Sequence, residues 1–219
     1  AESGVPTFRD AQTGLWAHYD PMDLATPEAF ENDPASVWDW YQWRRELIRT
    51  AQPNDGHAAL ARWQQAQPAL IVITQNVDGL HQSAGNTGVL ELHGNLQRNI
   101  CHLTHQLIDD AWIAEHADQR PPPSPHHPQG LARPDVVWFG EALPATVLEQ
   151  AFDAARRCDL MIVAGTAGAV QPAASLPAVA AEAGATVVEV NPDETELSGL
   201  ADYCLRGGFG EVLPALVPE

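Results

Sequence analysis

The 219-residue sequence contains no lysine, so all eleven of its basic residues are arginines, set against 29 acidic residues. The resulting net charge of −18 repels phosphate backbones and anionic membranes, and we therefore expect neither nucleic acid nor a membrane as a partner. A basic protein segment would instead be attracted. Many alanines and arginines without lysine are also what a GC-rich genome produces, an explanation that has no bearing on partners.

Cysteine is scarce, and long apolar runs are missing. Cys101, Cys158 and Cys204 are an odd number at wide spacings, which argues against a disulfide scaffold and favours a reducing cytosol. No apolar run approaches the ~18 residues of a membrane span, and residues 1–10 lack signal-peptide character, so we expect a cytoplasmic protein. Hydrophobic residues make up 45% of the chain, enough for the core of one good-sized domain.

Four short apolar runs rich in valine, isoleucine and leucine predict buried β-strands at residues 69–73, 89–92, 160–164 and 186–190. Helical patterns at 144–158 and 172–183 lie between them. Strands that alternate with helices predict the α/β class, with a doubly wound parallel Rossmann-like sheet. Each run is followed by a polar or glycine-rich cluster, at the sheet edge where such folds bind ligands.

Two stretches interrupt the alternation. Residues 20–51 have a helical pattern, with Asp33 as a plausible N-cap and Pro34 in the first turn. Residues 95–133 look irregular and contain a proline-rich segment. We predict one domain over 1–219, in which 1–19, 52–94 and 134–219 form the Rossmann-like lobe and the insertions 20–51 and 95–133 form a smaller helical and irregular lobe.

Three polar residues at strand ends could converge on one cleft, with His93 as a general base and Asn76 and Asp78 orienting water or an amide. A hydrogen-bonded structural role for His93 and an Asx turn at Asp78 are the alternatives. The sequence GTAG at 165–168 precedes a helical pattern and could cradle a phosphate through its N–H groups.

Arg44 and Tyr41 lie on the apolar stripe of their helix, so both should point inward. A partly desolvated guanidinium needs an anion. One interpretation is an internal ion pair with Glu28 or Asp33. The other is a substrate carboxylate held by the Arg44 fork and the Tyr41 hydroxyl.

Seven motifs occur in a fixed order over most of the chain: ESGVPTFR at 2–9, GLW at 14–16, TQNVDGLH at 74–81, ELHG at 91–94, PDVVWFGE at 134–141, GTA at 165–167 and VNP at 190–192. Together they resemble the sirtuin family of NAD-dependent protein deacylases. Two further segments, DLATP at 23–27 and WYQWRR at 40–45, resemble the branch that removes succinyl, malonyl and glutaryl groups from lysine. By that resemblance Tyr41 and Arg44 are the branch's Tyr-x-x-Arg pair, and Ala25 lines an enlarged acyl pocket.

The resemblance implies an enzyme that uses NAD to remove succinyl, malonyl and, by extension, glutaryl groups from protein lysines, and acetyl groups more weakly. Nicotinamide and O-acyl-ADP-ribose are the products, acyl-lysine proteins or peptides are the substrates, and we expect a monomer. In the family His93, with Asn76 and Asp78 beside it, takes a proton from a ribose hydroxyl.

The resemblance also assigns binding residues. The NAD-contacting positions are Glu2, Ser3, Gly4, Phe8, Arg9, Gln75, Asn76, Val77, Asp78, Gly165, Thr166, Ala167, Asn191, Pro192, Asp193 and Phe209. The substrate backbone adds as a strand to Val137, Trp138, Phe139, Gly140 and Glu141.

The sequence departs from the family's pattern in three places. The glycine-rich strand-turn Gly-Ala-Gly-x-Ser, expected just before Ala1, is absent, which leaves open a misplaced start and a degenerate NAD or ADP-ribose binding module without turnover. Ala167 stands where serine is common. Of four zinc cysteines only Cys101 remains; we expect no structural zinc and support from Trp112 and the prolines. The alternative is a mixed zinc site of Cys101 with His102, His105, His126 and His127.

Overall fold

The computed structural model describes residues 2–4 and 20–217. Phe8 and Arg9, two of the predicted cofactor residues, lie outside this part of the chain. The helices are α1 (Pro21–Leu24), α2 (Pro27–Asn32), α3 (Pro34–Arg49), α4 (Asp55–Ala66), α5 (Leu80–Ser83), α6 (Asp110–Glu115), α7 (Ala145–Arg157), α8 (Leu176–Glu182) and α9 (Phe209–Leu216). The strands are β1 (Ile73–Thr74), β2 (Leu90–Glu91), β3 (Gly94–Cys101), β4 (Leu107–Ile108), β5 (Ala132–Val136), β6 (Leu160–Ala164), β7 (Thr186–Val190) and β8 (Tyr203–Leu205).

The parallel strands confirm the α/β class, and within residues 20–217 they pair in two groups. β1 pairs with β2, with Ile73 opposite Leu90, and β7 lies between β6 and β8. Over the described residues, β1 and β6 are each hydrogen-bonded to one neighbouring strand. The strands predicted at 69–73 and 89–92 are shorter than expected. Only two residues of each strand pair with the other, Ile73–Thr74 with Leu90–Glu91.

Helices cover both faces of the three-stranded parallel sheet. Met161 packs in a cluster with Ala151 and Ala155 of α7 and Ala180 of α8. The next residue, Ile162, packs instead in a cluster with residues of α4 and α9. Successive side chains of a strand point to opposite faces, so the sheet is doubly wound as predicted.

The first insertion is helical, as predicted. Asp33 accepts a hydrogen bond from Ser36 N at 3.0 Å and caps α3, and Pro34 is its first residue. Phe30, Val37, Trp40 and Ile48 are core residues of this region. Of the helices in the described ranges, none has the length and apolar character needed to cross a bilayer.

The prediction that 95–133 is irregular is wrong, because β3, β4 and β5 form an antiparallel sheet in the order β4-β3-β5. The polar residues of β3 hide the strand, whose pairing register shifts between Asn95 and Asn99. Arg45 of α3 supports this irregular stretch by donating to Leu96 O at 2.6 Å and Arg98 O at 3.1 Å. β5 crosses the predicted boundary at 133/134, and the division into two lobes stays a prediction.

Candidate active site

His93 lies between β2 and β3, and its ring is held by the main chain. His93 Nδ1 is 2.9 Å from the carbonyl oxygen of Gln75. A carbonyl can only accept, so Nδ1 carries the hydrogen and the neutral ring keeps Nε2 as its basic nitrogen. The carbonyl of His93 accepts from Val137 N at 3.0 Å. The histidine is thus fixed in the orientation and tautomer that a general base requires.

Gly94 is required by a close approach of two strands. Its φ is +78°, and a Cβ atom at this position would lie 2.1 Å from the carbonyl oxygen of Asp135. Any other residue would push β3 away from β5 and shift His93, since the two positions are adjacent in the chain.

Glu91 and Arg98, which sequence reasoning missed, brace the same turn. Glu91 accepts from Gln82 Nε2 at 2.6 Å, from Asn95 Nδ2 at 2.6 Å and from Arg98 at 2.7 Å. Arg98 also donates to Asp135 at 2.8 Å. The available signal was the acidic residue inside the apolar run VLEL, because a carboxylate on a buried strand needs donors.

The polar residues after β1 occupy the predicted place. Asn76 is exposed, and its N–H donates to Thr74 Oγ1 at 3.0 Å. Asp78 accepts from Leu80 N at 2.9 Å, so the Asx-turn interpretation holds and this turn begins α5. The carboxyl end of β1 is followed by the run Gln75, Asn76, Val77 and Asp78. The first of these, Gln75, bonds to His93 through its carbonyl oxygen. The structure therefore brings this run next to His93.

An aromatic cluster near Asp78 is formed by His57, His81 and Phe209. The His57 ring centroid is 4.7 Å from that of His81 and 5.2 Å from that of Phe209. Burial, reinforced by His81, lowers the pKa of His57 to about 4, and burial also lowers the pKa of His81. Phe209 packs so closely on α4 that a Cβ on Gly56 would lie 2.6 Å from its ring. Its predicted contact with adenine stays a prediction.

The described N-terminal residues meet the start of α9. Glu2 accepts from Gly210 N at 2.9 Å and from Asn54 Nδ2 at 3.2 Å. A carboxylate at a helix N-terminus is favourable because the first N–H groups lack helical partners. The cofactor roles predicted for Glu2, Ser3 and Gly4 stay predictions.

The loops after β6 and β7 are joined at the carboxyl ends of their strands. Thr166 O accepts from Asn191 Nδ2 at 3.1 Å, and Asn191 Oδ1 accepts from Asp193 N at 3.3 Å. Gly165 has φ +63°, with no atom within 4 Å of an added Cβ. Ala167, Pro192 and Asp193 are exposed. An open glycine and exposed polar groups at this edge fit a dinucleotide.

The predicted acyl-pocket residues come together around α3. Ala25, Tyr41 and Trp138 belong to one buried cluster, and Trp138 Nε1 donates to the Tyr41 hydroxyl at 2.8 Å. Burial raises the pKa of Tyr41 to about 12 and lowers the pKa of Arg44. The Arg44 guanidinium carbon lies 5.0 Å from the centroid of Trp40.

Asp33 and Glu28 were the candidates for an internal ion pair with Arg44. Asp33 uses both carboxylate oxygens on Ser36, at 3.0 Å to its N–H and 2.6 Å to its hydroxyl. Glu28 is exposed on α2. An ion pair of Arg44 with either residue stays an alternative interpretation.

The segment 137–141 is a turn held by its own carboxylate. Glu141 accepts from Arg133 at 2.6 and 2.8 Å and from Trp138 N at 2.8 Å. The Arg133 guanidinium lies 3.3 Å from the Trp138 ring centroid. Phe139 N donates to Ala25 O at 2.9 Å, which ties the turn to a residue predicted to line the acyl pocket. Strand addition by a substrate at Val137–Glu141 stays a prediction.

The region of the missing zinc cysteines is held by other contacts. His102 Nδ1 accepts from Leu131 N at 2.8 Å, His126 Nε2 lies 2.7 Å from Leu107 O, and Trp112 Nε1 donates to Pro123 O at 2.8 Å. Cys101 is buried. Across 2–4 and 20–217 no three histidine, cysteine or acidic side chains are grouped to hold a metal ion. The expectation of no structural zinc stays a prediction.

Comparison with known proteins places these features in context. The model of the Sir2 family matches residues 1–172. The chain is 52% identical to an NAD-dependent protein deacylase of Aeropyrum pernix, covering 94% of this chain and 82% of that protein. It is 48% identical to NAD-dependent protein deacylase 1 of Pseudomonas aeruginosa, covering 99% and 88%. A crystal structure of a Sir2 homologue with NAD superposes with a TM-score of 0.87 at 47% identity, covering 99% of this chain and 83% of that one. A mutant Sir2 homologue in complex with 2'-O-acetyl ADP ribose gives 0.85 at 47% identity, covering 99% and 85%.

Proposed function

Because this chain belongs to the Sir2 family, we propose that it is an NAD-dependent protein deacylase that prefers lysine acyl groups ending in a carboxylate. Succinyl and malonyl groups are the best substrates, glutaryl is accepted, and acetyl is removed more weakly. The relatives are named as deacylases, and nothing in them supports the alternative of a binding module without turnover.

One observation carries the acyl preference. Tyr41 and Arg44 are both buried one turn apart on α3, at 3% and 8% exposure. The Tyr41 oxygen already accepts from Trp138, so its own proton is directed to another acceptor. Arg44 supplies a planar fork that matches a carboxylate. A hydroxyl donor and a guanidinium side by side form a site for an acidic group.

The pocket must also leave room for the acyl chain. Ala25 has the smallest side chain among the buried members of the cluster that includes Tyr41 and Trp138, and it is 3% exposed. Its carbonyl holds Phe139 of the 137–141 turn, where the peptide backbone is proposed to bind. A lysine that enters along this turn would therefore direct its acyl group towards Tyr41 and Arg44.

His93 moves the proton in this proposal. Its Nδ1–H stays on the Gln75 carbonyl, and its Nε2 accepts a proton from a ribose hydroxyl. NAD supplies a sugar carbon whose bond to nicotinamide can be broken in favour of the acyl oxygen. Asn76 and Asp78 line the nicotinamide end. Gly165, Thr166, Ala167, Asn191, Pro192 and Asp193 hold the adenosine end.

The net charge of the protein also favours one kind of protein substrate. With a net charge of −18 the surface attracts basic segments, so acyl-lysines flanked by arginine or lysine are the proposed protein substrates.

The test uses one peptide carrying succinyl-, malonyl-, glutaryl- or acetyl-lysine, together with the neutral succinamide analogue of the succinyl group. We expect kcat/KM to be highest for the carboxylates, and the succinamide peptide to fall towards the acetyl peptide although its length is that of succinyl. Equal kcat/KM for succinyl and succinamide would reject the carboxylate as the recognised group.

A further inference from the structure

Glu189 is a buried carboxylate on β7, the middle strand of the three-stranded parallel sheet. Its side chain accepts hydrogen bonds from the Thr195 hydroxyl, from Ser198 Oγ at 2.6 Å and from Arg206 at 2.7 Å, although the residue is only 1% exposed. A buried charge without such partners is costly. The catalytic proposal makes no use of this group.

The same donors hold the main chain of residues 191–198. Arg206 donates to Asp193 O at 2.9 Å and to Ser198 Oγ at 3.1 Å. Ser198 Oγ in turn accepts from Thr195 N at 2.9 Å. The segment 191–198 therefore closes around the carboxylate of Glu189.

This segment supports the loop 165–168 that follows β6. Asn191 Nδ2 donates to Thr166 O at 3.1 Å. Leu197, which is 7% exposed, fills the space beside Gly168: a Cβ on Gly168 would lie 2.5 Å from Leu197 Cγ. The two contacts lie at different points of the loop, so the position of the segment fixes the position of the loop.

We propose that Glu189 is a positioning residue for the adenosine end of NAD, because its carboxylate organises the 191–198 segment and, through it, the 165–168 loop. The inference rests on the proposed placement of the adenosine end at these two segments. Because Glu189 is buried, it acts on the cofactor through Arg206, Thr195 and Ser198.

The charge state of Glu189 suits this role. Burial by itself raises the pKa of Glu189, but hydrogen bonds from Ser198, Thr195 and Arg206 bring it down to about 2. The group is therefore an ionised acceptor throughout the neutral range, and charge-assisted hydrogen bonds hold their geometry more strongly than neutral ones.

The placement is tested first, on the wild-type protein. Hydrogen exchange is measured with and without ADP-ribose, and we expect the ligand to slow exchange in peptides that contain 165–168 and 191–198. Absence of protection in both segments would reject the proposed adenosine site, and the positioning role with it.

The positioning role is tested with Glu189→Gln against Glu182→Gln, a matched change at an exposed glutamate of α8. By calorimetry we expect the Kd of ADP-ribose to rise about 2- to 30-fold in Glu189→Gln only, the range typical of residues that act without touching the ligand. The KM of NAD should rise in parallel, while the KM of the acyl peptide is unchanged. Both segments should exchange faster in the free variant.

A purely structural role gives a different result. A lower melting temperature with an unchanged Kd for ADP-ribose would overturn the proposal. If Glu189→Gln does not fold, Ser198→Ala decides, because it removes one donor and keeps the carboxylate with Arg206. A smaller rise in Kd with faster exchange of 191–198 supports the proposal, and an unchanged Kd overturns it.

Discussion

The imidazole of His93 and the main-chain carbonyl of Gln75 are joined by a 2.9 Å hydrogen bond through Nδ1. The bond links the turn after β2 to the segment after β1, and it needs no side chain of residue 75. The orientation of the proposed general base is therefore set by the backbone, and we expect substitutions of the Gln75 side chain to leave this contact in place.

Removal of the imidazole should stop the proton transfer. We expect His93→Ala to lower kcat by at least about 10²-fold, the typical contribution of a general acid or base. The measurement is nicotinamide release from NAD and a succinylated peptide. ADP-ribose affinity and the melting temperature serve as controls and should stay near wild type. Near-normal turnover by folded His93→Ala would exclude His93 as the base.

Arg44 should determine the choice of acyl group. We expect Arg44→Met to lose about 2–4 kcal/mol in kcat/KM on the succinyl peptide, a loss typical of a buried charge pair, with little effect on the acetyl peptide. Arg44→Lys should recover only part of the loss, because an ammonium cannot make the two-pronged contact. An equal loss on both peptides, or unfolding, would make Arg44 a structural residue.

Trp138 should act on the acyl group through Tyr41. Trp138→Phe removes the Nε1–H that donates to Tyr41 and keeps an aromatic ring beside Arg133. We expect the succinyl-to-acetyl ratio of kcat/KM to fall in Trp138→Phe and in Tyr41→Phe, with a coupling of about 0.5–3 kcal/mol in the double-mutant cycle. Additive effects would show that the two side chains act separately.

Metal removal should leave the region around Cys101 intact. With His102 and His126 bonded to the main chain, we expect less than one zinc per protein by elemental analysis and no change of melting temperature with a chelator, since structural zinc contributes folding free energy. Stoichiometric zinc that chelation removes with a loss of stability would contradict this, and the ligands to test are then Cys101 and the nearby histidines.

Acid should destabilise the fold through His57. Its pKa is about 4 in the folded protein, below the ordinary value of 6.5. The unfolded chain therefore binds a proton that the folded state does not, and the free energy of unfolding should fall as the pH drops from 6.5 to 4. The slope from one group is at most about 1.4 kcal/mol per pH unit. Urea unfolding at several pH values measures it.

The matched variant for this prediction is His57→Gln. Glutamine at the third position of a helix can keep the capping box that His57 forms with Asn54, but it does not titrate. The slope should flatten in the variant, leaving the smaller contribution of His81. Between about pH 4.5 and 2 both proteins should lose further stability, because Glu189 takes up a proton at its ordinary pKa of 4.5 in the unfolded chain but stays ionised down to a pKa of about 2 in the folded protein. An unchanged slope between pH 6.5 and 4 would exclude His57 as its source.

The periodicity of the sequence was sufficient to predict the helices and strands whose buried residues are apolar. The strands at 160–164 and 186–190 have their predicted bounds, and α3 begins at the predicted cap. β3 was missed because its stability comes from distant partners such as Arg45, which no local pattern contains.

Candidate site residues could be predicted from the sequence where the residue type itself narrows the possible chemistry. His93, Asn76 and Asp78 stand out as polar groups at strand ends. The contacts that support them could not be predicted: Glu91, Arg98 and Glu189 bond to partners that lie 4 to 37 residues away in the sequence. Such pairings become apparent only after the chain has folded, since spacing in sequence does not report them.

The ion pairs that support the site, Arg98 with Glu91, Arg133 with Glu141 and Arg206 with Glu189, all use guanidinium groups. Reactive acyl donors such as thioesters and acyl phosphates are attacked by amines, whereas a guanidinium remains protonated and is a poor nucleophile at neutral pH. The enzyme's own electrostatic framework is thus built from groups that lysine acylation cannot neutralise. In a medium rich in acyl donors it keeps its positive charges, while proteins that contain lysine lose some of theirs. Because this sequence has no lysine to be acylated, it offers no acyl-lysine that would compete with the substrates for the active site.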